Sequence, residues 1–138
     1  MTADILRLTV ANTGLLDTVA PDVFDDPIIP QRVAAFLAES GHLMFIAVEA
    51  GVVVGQIAGI IHRHPDRVSE LYVDNLGVSP SHQRQGIARR LLVALCDLGR
   101  SLGCEEAWVG TEVDNLPARG LYASHADAET FVLYEFDL

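Results

Sequence analysis

A strand pattern, a glycine-bearing turn and a long amphipathic helix follow one another between Ser69 and Leu102, and no other stretch constrains the fold as much. Ser69-Glu70-Leu71-Tyr72-Val73-Asp74-Asn75-Leu76-Gly77-Val78 reads as a strand with mixed alternation. Gly77 is a candidate for a bulge or a close backbone approach, and Ser79 and Pro80 end the strand. Ile87, Leu91, Leu95, Leu98 and Leu102 recur at helical spacing, with Arg89, Arg90, Asp97 and Arg100 mostly on other faces. With Gly103 as a stop signal, the spacing predicts a helix from Gln85 to Leu102. Between the two lies Gln83-Arg84-Gln85-Gly86-Ile87-Ala88. The first N–H groups of a helix lack internal acceptors and sit at the positive end of its dipole, so an anion is stabilised there. Gly86 and Ala88 would let a phosphate approach the backbone, and Arg84 and Arg89 would add charge from the flanks. A lone hexapeptide of this kind is more often a plain strand-to-helix turn, so the rest of the chain must decide.

Two ordered motifs decide it. Leu76 to Leu92 resembles the acetyl-coenzyme A signature of the GNAT N-acetyltransferases: Gln or Arg, two residues, Gly, one residue, then Gly or Ala. Gln83, Gly86 and Ala88 meet that pattern. Asn115-Leu116-Pro117-Ala118-Arg119-Gly120-Leu121-Tyr122 is similar to the family's Asn-x-x-Ala-x-x-Leu-Tyr segment. The resemblance runs from the Phe45 strand onward and fits the first forty residues only loosely. It departs after Tyr122, where Ser124-His125-Ala126-Asp127 replaces the family's Gly-Phe, so the turn into a last strand is expected to differ.

The resemblance implies acetyl-CoA as acyl donor. Its diphosphate would lie on Gln83, Arg84, Gln85, Gly86, Ile87, Ala88 and Arg89. Its pantetheine would pair with backbone at Leu76, Gly77 and Val78, and Asn115 and Tyr122 would complete the donor site. It also implies that Tyr122 acts as the acid for the departing thiolate; a phenol with a pKa near ~10 is a suitable proton donor.

In order, the chain predicts a strand at Ile5–Val10, helical segments at Leu15–Val19 and Pro30–Glu39, and strands at Leu43–Glu49 and Val52–His62 around a hairpin turn at Gly51. The Glu70 strand and the long helix follow, then a strand at Glu105–Val113, a short helix at Leu116–Ser124 and a last strand at Thr130–Asp137. The passage through the long helix requires a parallel crossover, which makes this one α/β domain over residues 1–138. The resemblance implies a GNAT fold: a mixed, twisted sheet of about six strands with helices on both faces and a splayed central parallel pair.

Charge narrows the partners. Nineteen acids oppose nine bases, all arginine, for a net charge of -10, which disfavours nucleic acid. Yet Arg84, Arg89, Arg90 and Arg100 face only Asp97 between His82 and Arg100, so the positive charge collects where an anionic donor would sit. The apolar runs are too short and interrupted to cross a bilayer, and the amino terminus lacks a secretion pattern, so a cytoplasmic location is expected. Cys96 and Cys104 have no metal-like pairing and read as reduced structural thiols. His62 and His64, beside Pro65 and Asp66, read as solvated turn residues, and no metal is assigned.

Attack on a thioester needs a neutral amine, hence a group that takes a proton. Glu112 ranks first, being placed near the carboxyl end of the strand before the Tyr122 helix. Glu70 and Asp74 are rivals and share a strand face with Tyr72 if no bulge intervenes; Asp114 is a weaker candidate and a possible helix cap. Phe45-Ile46-Ala47-Val48, Ser69-Glu70-Leu71-Tyr72 and Tyr134-Glu135-Phe136-Asp137 resemble the aminoglycoside 3-N-acetyltransferase branch. That likeness implies a small cationic amine bound by Glu70, Asp74 and Glu112, with Asp25 or Asp26 in support. Acetylation of another small amine or a peptide amine stays open, as does a noncatalytic CoA-binding module, against which the retained Tyr122 weighs. The resemblance further implies a homodimer formed through the late strands.

Overall fold

The computed structural model describes residues 2–138. Five strands form one sheet in sequence order: β1 (Asp4–Arg7), β2 (His42–Glu49), β3 (Val52–His62), β4 (Ser69–Val78) and β5 (Cys104–Val109). The first four are antiparallel neighbours, and β5 runs parallel to β4. The helices are α1 (Pro30–Ala38), α2 (Ile87–Ser101) and α3 (Leu116–Ala123), with 3₁₀ turns at Thr13–Asp17 and Pro80–His82.

β2 and β3 are joined by Ala50 and Gly51, both at positive φ (51° and 78°), as a two-residue hairpin with right-handed strand twist requires. α2 has the predicted periodicity but begins at Ile87, leaving Gln85 in the turn. Its buried Ile87, Leu91, Leu92 and Leu95 pack on one sheet face with Leu43, Ile57 and Leu71. Leu91 is fully enclosed, so Leu91→Ala should cost about 3 kcal/mol. The other face is covered by α1 and the Thr13 turn, through Leu8, Leu16, Val23, Ile46 and Val53, with Val33 and Leu37 against them. An apolar recess of about 200 Å³ under α1, lined by Leu16, Phe24, Ile28, Val33 and Phe36, holds no group suited to acyl transfer.

Several sequence expectations are corrected. β1 ends at Arg7, and β5 ends at Val109, short of Val113. Among the described residues the sheet therefore has five strands, because Thr130–Asp137 pairs with none of them. Phe131 (61 % exposed) and Phe136 (77 %) stand in solvent with Val132, Leu133 and Tyr134. Strand propensity expresses a fit to a neighbouring strand, and this arm has no such neighbour among the described residues. His64 is not solvated, since its side chain is 8 % exposed.

Candidate active site

The site begins where β4 and β5 part. Their pairing runs from Ser69 and Cys104 to Val73 and Val109 and then stops, while β4 continues to Val78 with only β3 beside it. Asp74 to Val78 therefore present an open backbone edge, a slot for an extended amide chain. On one face of this segment the Val23 carbonyl fills the space that a Cβ on Gly77 would need. Gln56, fully buried, donates from Nε2 to Val23 O (3.2 Å) and Asn75 Oδ1 (2.8 Å), fastening that loop to β3 and β4. Gly77 thus serves the close approach of two protein segments.

Beyond Val78 the chain enters the glycine turn. Arg84 (φ 63°) and Gly86 (φ 79°) are left-handed, and nothing lies within 4 Å of where a Cβ on Gly86 would project. Among the described residues no acceptor takes the backbone N–H groups from Gly86 through Arg89; the next is Arg90, which donates to Gly86 O at 3.1 Å. A run of unsatisfied donors at the start of a fifteen-residue helix is a cradle for an anion. Arg84, Arg89 and Arg90 are exposed and carry no carboxylate partner among the described residues, whereas Arg100 is bound to Asp97 at 2.9 Å and lies outside the cradle. These features fit the diphosphate and pantetheine of coenzyme A: the turn would hold the former and the Asp74–Val78 edge the latter.

Tyr122 lies on α3, which follows β5, so it and the cradle both sit past the carboxyl ends of the parallel pair. It packs against the α2-side core, and burial pushes its phenol above the ordinary value. It is therefore protonated throughout the neutral range, as an acid for a thiolate must be. Asn115, expected at the donor site, caps α3: its Oδ1 accepts from Ala118 N–H at 3.2 Å. The cap expected of Asp114 belongs to Asn115.

The carboxylates divide. Glu70 is 8 % exposed, and its Oε1 lies 2.8 Å from His64 Nε2 and 2.6 Å from Arg67, so its charge is already engaged. A register shift between Ala58 and Gly59 puts a bulge at Asp74 and breaks the simple parity expected of Glu70, Tyr72 and Asp74. Asp74 is exposed and still touches Tyr72: burial first, and then the Asp74 charge and its hydrogen bond, push the Tyr72 phenol up. Glu112 is exposed in the loop after β5, three residues beyond the strand that was expected to carry it. Trp108 went unnoticed in the sequence: it stacks on Tyr72 with ring centroids 4.3 Å apart and remains 44 % exposed. Strand parity with Tyr72 could have signalled it, had β5 been placed in register with β4. Cys96 and Cys104 are free thiols, both pushed up by burial, and no metal-binding group of His, Cys, Asp or Glu is found among the described residues.

An open slot and an anion cradle at the end of a split parallel pair define an acyl-CoA-binding α/β protein. The chain belongs to the acetyltransferase (GNAT) family, whose model matches residues 14–126, and it is an acetyl-CoA-dependent N-acetyltransferase. No match to a curated protein was found. Similar solved structures include an aminoglycoside acetyltransferase from an uncultured soil metagenomic sample, at TM-score 0.84 and 24% identity over 100% of this chain and 99% of that one. AAC(6')-Iy in complex with a CoA-S-monomethyl-acetylneamine bisubstrate analog gives 0.81 and 19% over all of both chains. A transcriptional regulator from Bacillus halodurans gives 0.76 and 14%, over 99% of each chain. At these identities the likeness shows the fold alone.

Proposed function

We propose that this protein acetylates a primary amine of a small polycationic aminosugar, an aminoglycoside, by direct attack on acetyl-CoA in a ternary complex. The observation that carries the reading is the exposed Trp108 stacked on Tyr72 with Asp74 beside it, at the point where β4 and β5 separate. Aromatic faces take sugar rings and attract ammonium groups, and a free carboxylate pairs with them. Asp25 and Asp26, exposed on the loop that Val23 fastens to Gly77, add negative charge on that side. Glu112 takes the proton from the attacking amine, Tyr122 returns one to the thiolate, and backbone donors at the slot hold the thioester. Glu70, engaged by Arg67 and His64, positions β4 instead of binding substrate.

Turnover on an aminoglycoside panel that includes sisomicin and neamine tests this, with the acetylated nitrogen assigned by NMR. The sequence likeness points to position 3, whereas AAC(6')-Iy bears another number, so the nitrogen is part of the readout. Turnover on none of them rejects the acceptor, and adding polyamines and amino-terminal peptides to the panel identifies another amine class.

The working unit is a homodimer in the cytoplasm, the compartment that supplies acetyl-CoA. The exposed Thr130–Asp137 arm and the unpaired outer edge of β5 suit each other across a two-fold axis. Removing the residues after Ala128 should convert a dimer to a monomer in sedimentation; a full-length monomer would contradict it.

A further inference from the structure

His82 stands immediately before the glycine turn and reaches out of it on both sides of its ring. Its Nε2 lies 2.7 Å from Oε2 of Glu49, the last residue of β2. Its Nδ1 lies 3.0 Å from Ser81 Oγ and 3.3 Å from Ser79 Oγ, and the two hydroxyls are 3.1 Å apart. Ser79 is 1 % exposed, and its N–H donates to Val54 O on β3 at 2.8 Å. One imidazole therefore ties the entrance of the turn to the middle of the sheet.

The turn needs such a tie. Arg84 is a non-glycine residue in the left-handed region, a conformation that costs about 1–2 kcal/mol and survives only where its surroundings impose it. Gln83 helps little, its Nε2 reaching Val78 O only at 3.4 Å. Glu49 also brings a negative charge toward a site for anions, and the His82 Nε2–H is placed to take up that charge.

We propose that His82, held by Glu49 and the Ser79 and Ser81 hydroxyls, is a positioning residue for the coenzyme A diphosphate. It fixes the Gln83–Gly86 backbone so that the free N–H groups converge before the ligand arrives, and it screens Glu49 from the phosphates. The inference rests on acetyl-CoA as donor and is independent of the acceptor.

Calorimetric titration with CoA, and with pantetheine, which lacks the diphosphate, tests it. His82→Ala should weaken CoA about tenfold and leave pantetheine within about twofold. His82→Gln, whose amide N–H can still donate to Glu49, should recover most of the loss. Glu49→Ala, which removes the tie but also the charge that His82 screens, should weaken CoA less than His82→Ala does, and the double variant should match Glu49→Ala. If His82→Ala does not fold, Glu49→Ala and His82→Gln still carry these expectations. Equal losses for both ligands, or unchanged CoA affinity, would overturn the proposal. Failure of the unaltered protein to bind CoA would overturn the donor assignment with it.

Discussion

The carbonyl oxygen of Val23 occupies the space that a side chain on Gly77 would need, so the loop before α1 and β4 meet backbone to backbone. Backbone cannot swing aside as a flexible side chain would. Gly77→Ala should therefore lower stability by about 2 kcal/mol in urea denaturation. An unchanged midpoint would show that the two segments move apart freely.

Gly86 presents the opposite case, since its would-be Cβ meets empty space. Gly86→Ala faces only the strain of positive φ, about 1–2 kcal/mol. Its methyl group would, however, project over the turn whose N–H groups are proposed to face the phosphates. CoA affinity should fall about tenfold or more, while the melting temperature falls by only the several degrees that this strain accounts for. Undiminished affinity would remove the turn from the donor site.

The acceptor contacts separate from the donor contacts. Trp108→Ala and Asp74→Asn should each raise KM for sisomicin several-fold, in the range of about 1 kcal/mol per contact, with CoA affinity unchanged. Glu70→Gln should instead lower stability, because it removes the charge that Arg67 pairs with. If Glu70→Gln raised the acceptor KM with no change in melting temperature, Glu70 would be restored to the acceptor site.

Tyr72 and Tyr122 are both harder to ionise in the folded chain than in the unfolded one. The folded state thus holds their protons more tightly. The stabilisation this brings is complete below the ordinary phenol value near ~10 and is lost as pH rises through the raised folded values. Melting temperature should fall from about pH 9 to about pH 11, less steeply in Tyr122→Phe. Identical slopes would mean that Tyr122 does not contribute.

The parts legible in the sequence were those written in local pattern. The bounds of β3 and β4 and the core face of α2 follow from periodicity, and the turn from Gln83 to Gly86 follows from its position between strand and helix. What escaped depended on partners distant along the chain. The fate of Thr130–Asp137 turns on which edge is free, the engagement of Glu70 on where Arg67 and His64 fold, and the Trp108 platform on the parallel register. The bulge at Asp74 is a mismatch between two strands and cannot be read from one of them.

Acid-assisted acetyl transfer from a donor held by this turn is tested by comparing the unaltered protein with Tyr122→Phe in CoA affinity and in turnover on sisomicin. CoA affinity should be equal and turnover about a hundredfold lower in the variant. Equal turnover in the two would contradict it.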